Sequence, residues 1–143
     1  MSTLKNLLKT FAFPAAIFLF HVLVLIPSGI YSANEWLDIP MHFLGGFAVS
    51  LSFIYLLNQN RNKNEIKIPR SVQFIFIVAI VALTAVLWEF VEFTIDFFLR
   101  TNAQRGLPDT MLDLFLGIVG GALGALIYSK PTPKTEELSW FTI

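Results

Sequence analysis

The stretch LWEFVEFTID, residues 87–96, sets Glu89, Glu92 and Asp96 at i, i+3 and i+7, so on a helix the three carboxylates share one face. Two more segments repeat the theme: Asp38 and His42 stand four residues apart in DIPMH, and Asp109 and Asp113 do so in DTMLD. Carboxylates joined by an imidazole are hard donors suited to Mg²⁺, Mn²⁺, Ca²⁺ or Zn²⁺. Like-signed groups crowded into a small volume repel, and a divalent cation or shared protons relieve that repulsion. A bound cation could lower the pKa of a water to about 7 and polarise a phosphoryl or carbonyl oxygen, with a free carboxylate as general base. The candidate metal ligands are Asp38, His42, Glu89, Asp109 and Asp113. Glu92 or Asp96 is the candidate base, and Arg105 the candidate anion contact, because a guanidinium matches phosphate and carboxylate bidentately.

These charges interrupt segments that otherwise read as lipid-soluble. The 143 residues are 55% hydrophobic, and a mean hydropathy of +0.68 is high for a water-soluble domain of this size. A helix needs about 20 mostly apolar residues to cross the hydrocarbon. Four stretches approach or meet that length, roughly 11–26, 39–57, 72–99 and 109–128. The expected fold is all-α, a four-transmembrane-helix bundle forming a single membrane domain over residues 1–143 with a tail at 129–143. The segments IPSGIYSANEW and RTNAQRGLP read as turns between helices. Ahead of the first span, Leu4, Leu7, Leu8 and Phe11 recur at helical spacing with Lys5 and Lys9 between them, an interfacial lead-in. A cleaved signal peptide competes poorly with that reading, since the small residues Ser32 and Ala33 lie well beyond the apolar run.

Cytoplasmic flanks of membrane helices retain Lys and Arg. Lys5, Lys9, Arg61, Lys63, Lys67, Arg70, Lys130 and Lys134 fall on one side of the four spans, and only Arg100 and Arg105 on the other. Both termini are therefore expected in the cytoplasm of a cell-membrane protein. Glu35, Asp38, Glu89, Glu92, Asp96, Asp109 and Asp113 then collect in or near the outer half of the membrane. Asp113 shares a helix face with Gly117, Gly121 and Gly124, and small residues let helices approach closely in lipid. The acids on that helix should thus point into the bundle, although the glycine-rich helix at 109–128 also offers a surface for a homo-oligomer.

Intramembrane charge has other uses than metal binding. A structural hydrogen-bonded network and a proton or ion pathway both stay open, as does a plain N-cap role for Asp109 after Pro108. His21, alone in the first span, reads more readily as a hydrogen-bonded bundle residue than as a ligand. Tyr31, Trp36 and Trp88 at one interface, with Tyr55 and Tyr128 at the other, fit an aromatic belt. The absence of cysteine excludes disulfides, thiolate metal sites and thiol nucleophiles. There is no GxSxG, P-loop, GxGxxG or HExxH motif. Without a basic stripe carrying interleaved aromatics, nucleic acid is not an expected partner. A membrane lipid or lipid-linked molecule is.

DIPMHF (Asp38 to Phe43), WEFVE (Trp88 to Glu92) followed by Asp96, and RGLPDTMLD (Arg105 to Asp113) ahead of the glycines together resemble the small bacterial VanZ-like and YjdF-like membrane proteins. The resemblance spans roughly residues 35 to 128. Glu92 stands where VanZ-like proteins carry Gln and Asp113 where they carry Asn, and the acid-rich forms look closer to the YjdF-like branch. The resemblance implies a helical membrane fold and, through the link between VanZ and low-level teicoplanin resistance, a role at the cell envelope. The added acids weaken transfer of the resistance role itself.

Overall fold

The computed structural model describes residues 2–61 and 68–129. Four long helices, α1 (Ser2–Phe20), α2 (Asp38–Arg61), α3 (Arg70–Leu99) and α4 (Leu107–Ser129), make up most of it, and no strand occurs among the described residues. Each belongs to a span long and apolar enough to cross a membrane: Leu4–Ser28, Glu35–Asn58, Arg70–Leu99 and Leu107–Ile127. The fold is an all-α bundle of four membrane helices. Its outward surface carries large apolar side chains such as Leu83, Phe90, Phe93, Phe97, Phe115 and Leu126, as a hydrocarbon solvent requires. Of the positive charges used for orientation, Lys63, Lys67, Lys130 and Lys134 lie outside the described residues, as does the tail at 130–143.

The helices are longer than the apolar stretches that announce them. The first begins at Ser2 instead of near residue 11, and it absorbs the lead-in. Pro14 lies inside it and has no N–H for the carbonyl of Thr10. That carbonyl accepts the Ser52 hydroxyl of α2 at 2.8 Å, so the proline's defect becomes an interhelical bond. Beyond Phe20 the first span continues through a π turn, His21–Leu25, and a last helical turn, Ile26–Ser28. The segment read as a simple loop instead coils into short helices at Ile30–Ala33 and Glu35–Leu37. Gly29, at φ +67°, supplies the left-handed residue that turns the chain.

α2 and α4 form the closest pair, with α3 against α4 and α1 against α2. A side chain at Gly46 would run into the Gly117 carbonyl, and one at Gly120 into the Phe43 carbonyl, so the backbones of α2 and α4 touch. Gly121 faces Val81 of α3 and Gly124 faces Ser50 of α2. The stripe expected to draw helices together therefore does so inside this chain. At the end bearing Ser2 and Ser129, the core is apolar, built on Val49, Ile54, Ile77, Val81 and Ala125. At the other end, Ile26, Tyr31 and Ala103 join the two connecting segments in a small cap over the bundle.

Candidate metal centre

Beneath that cap lie His21, Asp38, His42, Glu89, Glu92 and Asp113, each at most 5% exposed. They come from all four spans. Asp38 and His42 project from the first two turns of α2, and Glu89 and Glu92 share a face of α3. Asp113, on the glycine face of α4, reaches the same volume because the close α2–α4 contact carries it there.

His42 is at the middle. Its Nε2 lies 3.3 Å from Asp38 Oδ1, 3.5 Å from Glu92 Oε1 and 4.0 Å from Asp113 Oδ1, and its Nδ1 lies 3.9 Å from Glu89 Oε1. The atoms Asp38 Oδ1, His42 Nε2, Glu89 Oε1, Glu92 Oε2 and Asp113 Oδ2 are buried and make no hydrogen bond. In native proteins nearly every buried polar atom has a partner, so such a convergence calls for an explanation. Two ligands about 2.0–2.1 Å from a tetrahedral Zn²⁺ stand about 3.3 Å apart, close to the separations around His42 Nε2. Three sets of residues could each hold an ion, with ligand atoms all within 4.8 Å: His21, Asp38 and Glu92; Asp38, His42 and Asp113; His42, Glu89 and Glu92.

His21, which sequence reasoning set aside, belongs to this group. Its Nε2 is 2.7 Å from Glu92 Oε1, and its Nδ1 is 2.6 Å from the Tyr31 hydroxyl. Tyr31 and Trp88 are buried, so neither is part of an exposed aromatic belt, whereas Trp36 and Tyr55 are exposed. The Trp88 ring packs on both imidazoles, with centroids 4.9 Å from His21 and 5.1 Å from His42. Its Nε1–H donates to Glu92 Oε1 at 2.9 Å. Gly45 makes room for that ring, since a Cβ there would stand 2.8 Å from it. Burial, reinforced by the charges of Asp38 and Glu92, pushes the Tyr31 pKa up, so its hydroxyl keeps its proton.

The other candidates form the rim. Asp96 accepts hydrogen bonds from Thr101 Oγ1 at 2.5 Å, Ala103 N at 2.8 Å and Gln104 N at 2.9 Å, which pins residues 101–104 over the bundle. Gln104 Nε2 in turn donates to Glu89 Oε2 at 3.1 Å. Asp109 takes no N-cap position; it lies within the first turn of α4 and accepts from the Arg105 N–H at 3.0 Å. It also accepts from Arg105 Nε at 3.2 Å and Nη2 at 2.7 Å. Arg105 Nη2 donates as well to Asp38 Oδ2 at 3.0 Å, while Nη1 is buried without a hydrogen bond. Burial alone would lower the Arg105 pKa, but Asp109 and the charge of Asp38 more than offset it and raise it. Asp96 and Asp109 belong to none of the three ion-capable sets. Their oxygens are occupied at the rim by Thr101, Ala103, Gln104 and Arg105, contacts that helical spacing, which made Asp109 a candidate ligand and Asp96 a candidate base, does not reveal.

Residues 4–131, a range that contains the whole site, match a family described as predicted membrane protein DUF2238. An uncharacterized protein of Thermotoga maritima is 34% identical over 105 residues, which cover 72% of this chain and 52% of the relative. The chain thus spans about half the length of the curated relative it matches. No solved structure gives a significant match. Four membrane helices and a family match across nearly the full length agree, and the chain belongs to the DUF2238 family of predicted membrane proteins.

Proposed function

We propose that the pocket binds a divalent metal ion and acts as a hydrolase or transferase on a lipid or lipid-linked substrate of the cell envelope. The observation that carries this reading is the set of buried donor atoms converging on His42 Nε2 without hydrogen bonds. Asp38, His42 and Asp113 are the first ligands, with Glu89 and Glu92 within reach. Such an ion would activate water and polarise a phosphoryl or carbonyl oxygen. Glu92, with Oε2 free of hydrogen bonds, suits the general base better than Asp96, whose carboxylate is already held by three donors. Arg105 is the anion contact, because Nη1 has no hydrogen bond while Asp38 and Asp109 hold the rest of the guanidinium in place.

A lipid substrate is favoured by an apolar groove of about 310 Å³ between α1, α2 and α3, lined by Phe11, Phe18, Val49, Phe53, Leu87 and Trp88 among others. The groove meets the site at Trp88, whose indole nitrogen is bonded to Glu92, so an acyl chain lying in it would bring its headgroup towards the carboxylates. The cytoplasmic termini, the outer-leaflet position of the site and kinship with the VanZ-like and YjdF-like proteins are parts of the same proposal. A homo-oligomer would need a face other than the glycine stripe, which α2 and α3 already cover.

Metal analysis of the detergent-purified protein tests this reading, with liposome assays for metal-dependent release of phosphate or headgroup. Stoichiometric metal that is lost in Asp38→Ala and His42→Ala supports it, and protein that never retains a divalent ion sinks it. A proton or ion conductor is disfavoured by the opposite half of the bundle. There the Ser50, Ser52 and Thr84 hydroxyls all donate to backbone carbonyls and build no polar file. Metal- or pH-driven flux in proteoliposomes would reverse that preference.

A further inference from the structure

We infer that the pocket holds two divalent cations that share Asp38, with His21 a ligand of the second; this rests on the metal-binding reading above. The three ion-capable sets interlock, because Asp38, His42 and Glu92 each belong to two of them. An ion held by Asp38, His42 and Asp113 leaves His21 and Glu92 unused, yet these two complete a second set with Asp38. Asp38 Oδ1 makes no hydrogen bond, while Oδ2 is fixed by Arg105, so Oδ1 is the atom free to be shared.

Charge points the same way. Asp38, Glu89, Glu92 and Asp113 bring four negative charges to residues that are almost wholly buried. Among the described residues the one guanidinium paired with them, that of Arg105, is balanced at the rim by Asp109. With the four carboxylates ionised and both imidazoles neutral, as metal ligation requires, one divalent ion would leave two negative charges uncompensated between apolar helices, where isolated charge is strongly disfavoured. Two divalent ions bring the sum to zero. Four carboxylates and two imidazoles from facing helices also match the donor inventory of two-metal sites built inside helix bundles.

His21 is held as a ligand would be. Its buried Nε2 is 2.7 Å from Glu92 Oε1, so imidazole and carboxylate face the same small volume. With Nε2 on a cation, Nδ1–H donates to the Tyr31 oxygen 2.6 Å away, the outer contact that fixes the tautomer and orientation of a ligating imidazole. The imidazole thus links the second cation to the Tyr31 phenol in the cap.

The test strips the purified full chain with chelator, reloads it with Mn²⁺ or Zn²⁺, removes excess by gel filtration and counts metal per chain. Two equivalents are expected, with the Mn²⁺ electron paramagnetic resonance signal broadened by exchange coupling. His21→Ala should retain one equivalent and show the resolved six-line spectrum of an isolated Mn²⁺. Should that variant elute as aggregate, Tyr31→Phe keeps the imidazole and should weaken the second equivalent by about 10–100-fold while sparing the first. One equivalent in the unmodified protein overturns the second cation and leaves the single site standing, and two in His21→Ala overturn His21 as its ligand. No retained ion of either kind overturns both readings.

Discussion

Glu92 and Asp96 stand one turn apart on the same face of α3 and meet opposite fates. Asp96 is at the rim, and both its oxygens are taken by the hydroxyl and backbone N–H groups of residues 101–104. Glu92 is at the centre, 1% exposed, with Oε2 lacking a hydrogen bond. The same contrast separates Asp109, saturated by Arg105, from Asp113, whose Oδ2 has no partner. A satisfied carboxylate positions chain, whereas a buried unsatisfied one is available to a ligand. Rim and centre are thus two regions of one acidic end, one that holds the cap and the other whose buried oxygens could hold a cation.

Asp38→Ala should break the contrast most severely, since Asp38 serves both regions. It belongs to two ion-capable sets and accepts from Arg105, so metal affinity should fall by about 100-fold or more, read by equilibrium dialysis. Asp96→Ala should remove three hydrogen bonds to a charged acceptor and lower stability by about 3 kcal/mol. Thermal unfolding in detergent measures that loss, and metal content should stay unchanged. Depletion of metal in Asp96→Ala would erase the distinction between rim and centre.

Asp113→Asn sharpens the comparison because its two readouts move in opposite directions. Affinity for the cation should drop about tenfold, while the chelated protein should melt at a higher temperature, because one of several crowded like charges is gone. A lower melting temperature without metal would instead make Asp113 a structural carboxylate. Thr101→Ala should be mildest, about 1 kcal/mol of stability for one of the three donors to Asp96, with no effect on metal.

Much of the fold was legible from sequence because lipid imposes a simple rule. A spanning helix must satisfy its backbone internally and present apolar side chains outward, so length and hydropathy expose the four spans. The meeting of DIPMH, WEFVE and DTMLD was legible as well, since i, i+3 and i+4 spacings put each acid on a defined face and the glycines mark which face of α4 is inward. Three things were not. His21 stands alone in an otherwise apolar span, and no stripe marks the face it occupies. Tyr31 and Trp88 have the residue types of an interfacial belt, and only their burial removes them from it. Asp96 and Asp109 share the spacing of the ligands and differ only in what lies above them.

The sequence by itself determined which segments cross the membrane and that acids on three of them could gather at one end. Tertiary structure decided which acids are free. The donors that saturate Asp96 and Asp109 sit on residues 101–105, which fold back because Arg100 takes a left-handed conformation at φ +57° and Gly106 a positive φ of +105°. Helical periodicity gives the direction of a side chain but not the identity of what meets it. A buried carboxylate becomes structural or available according to that second fact, and here it was fixed by the path of a short connecting segment.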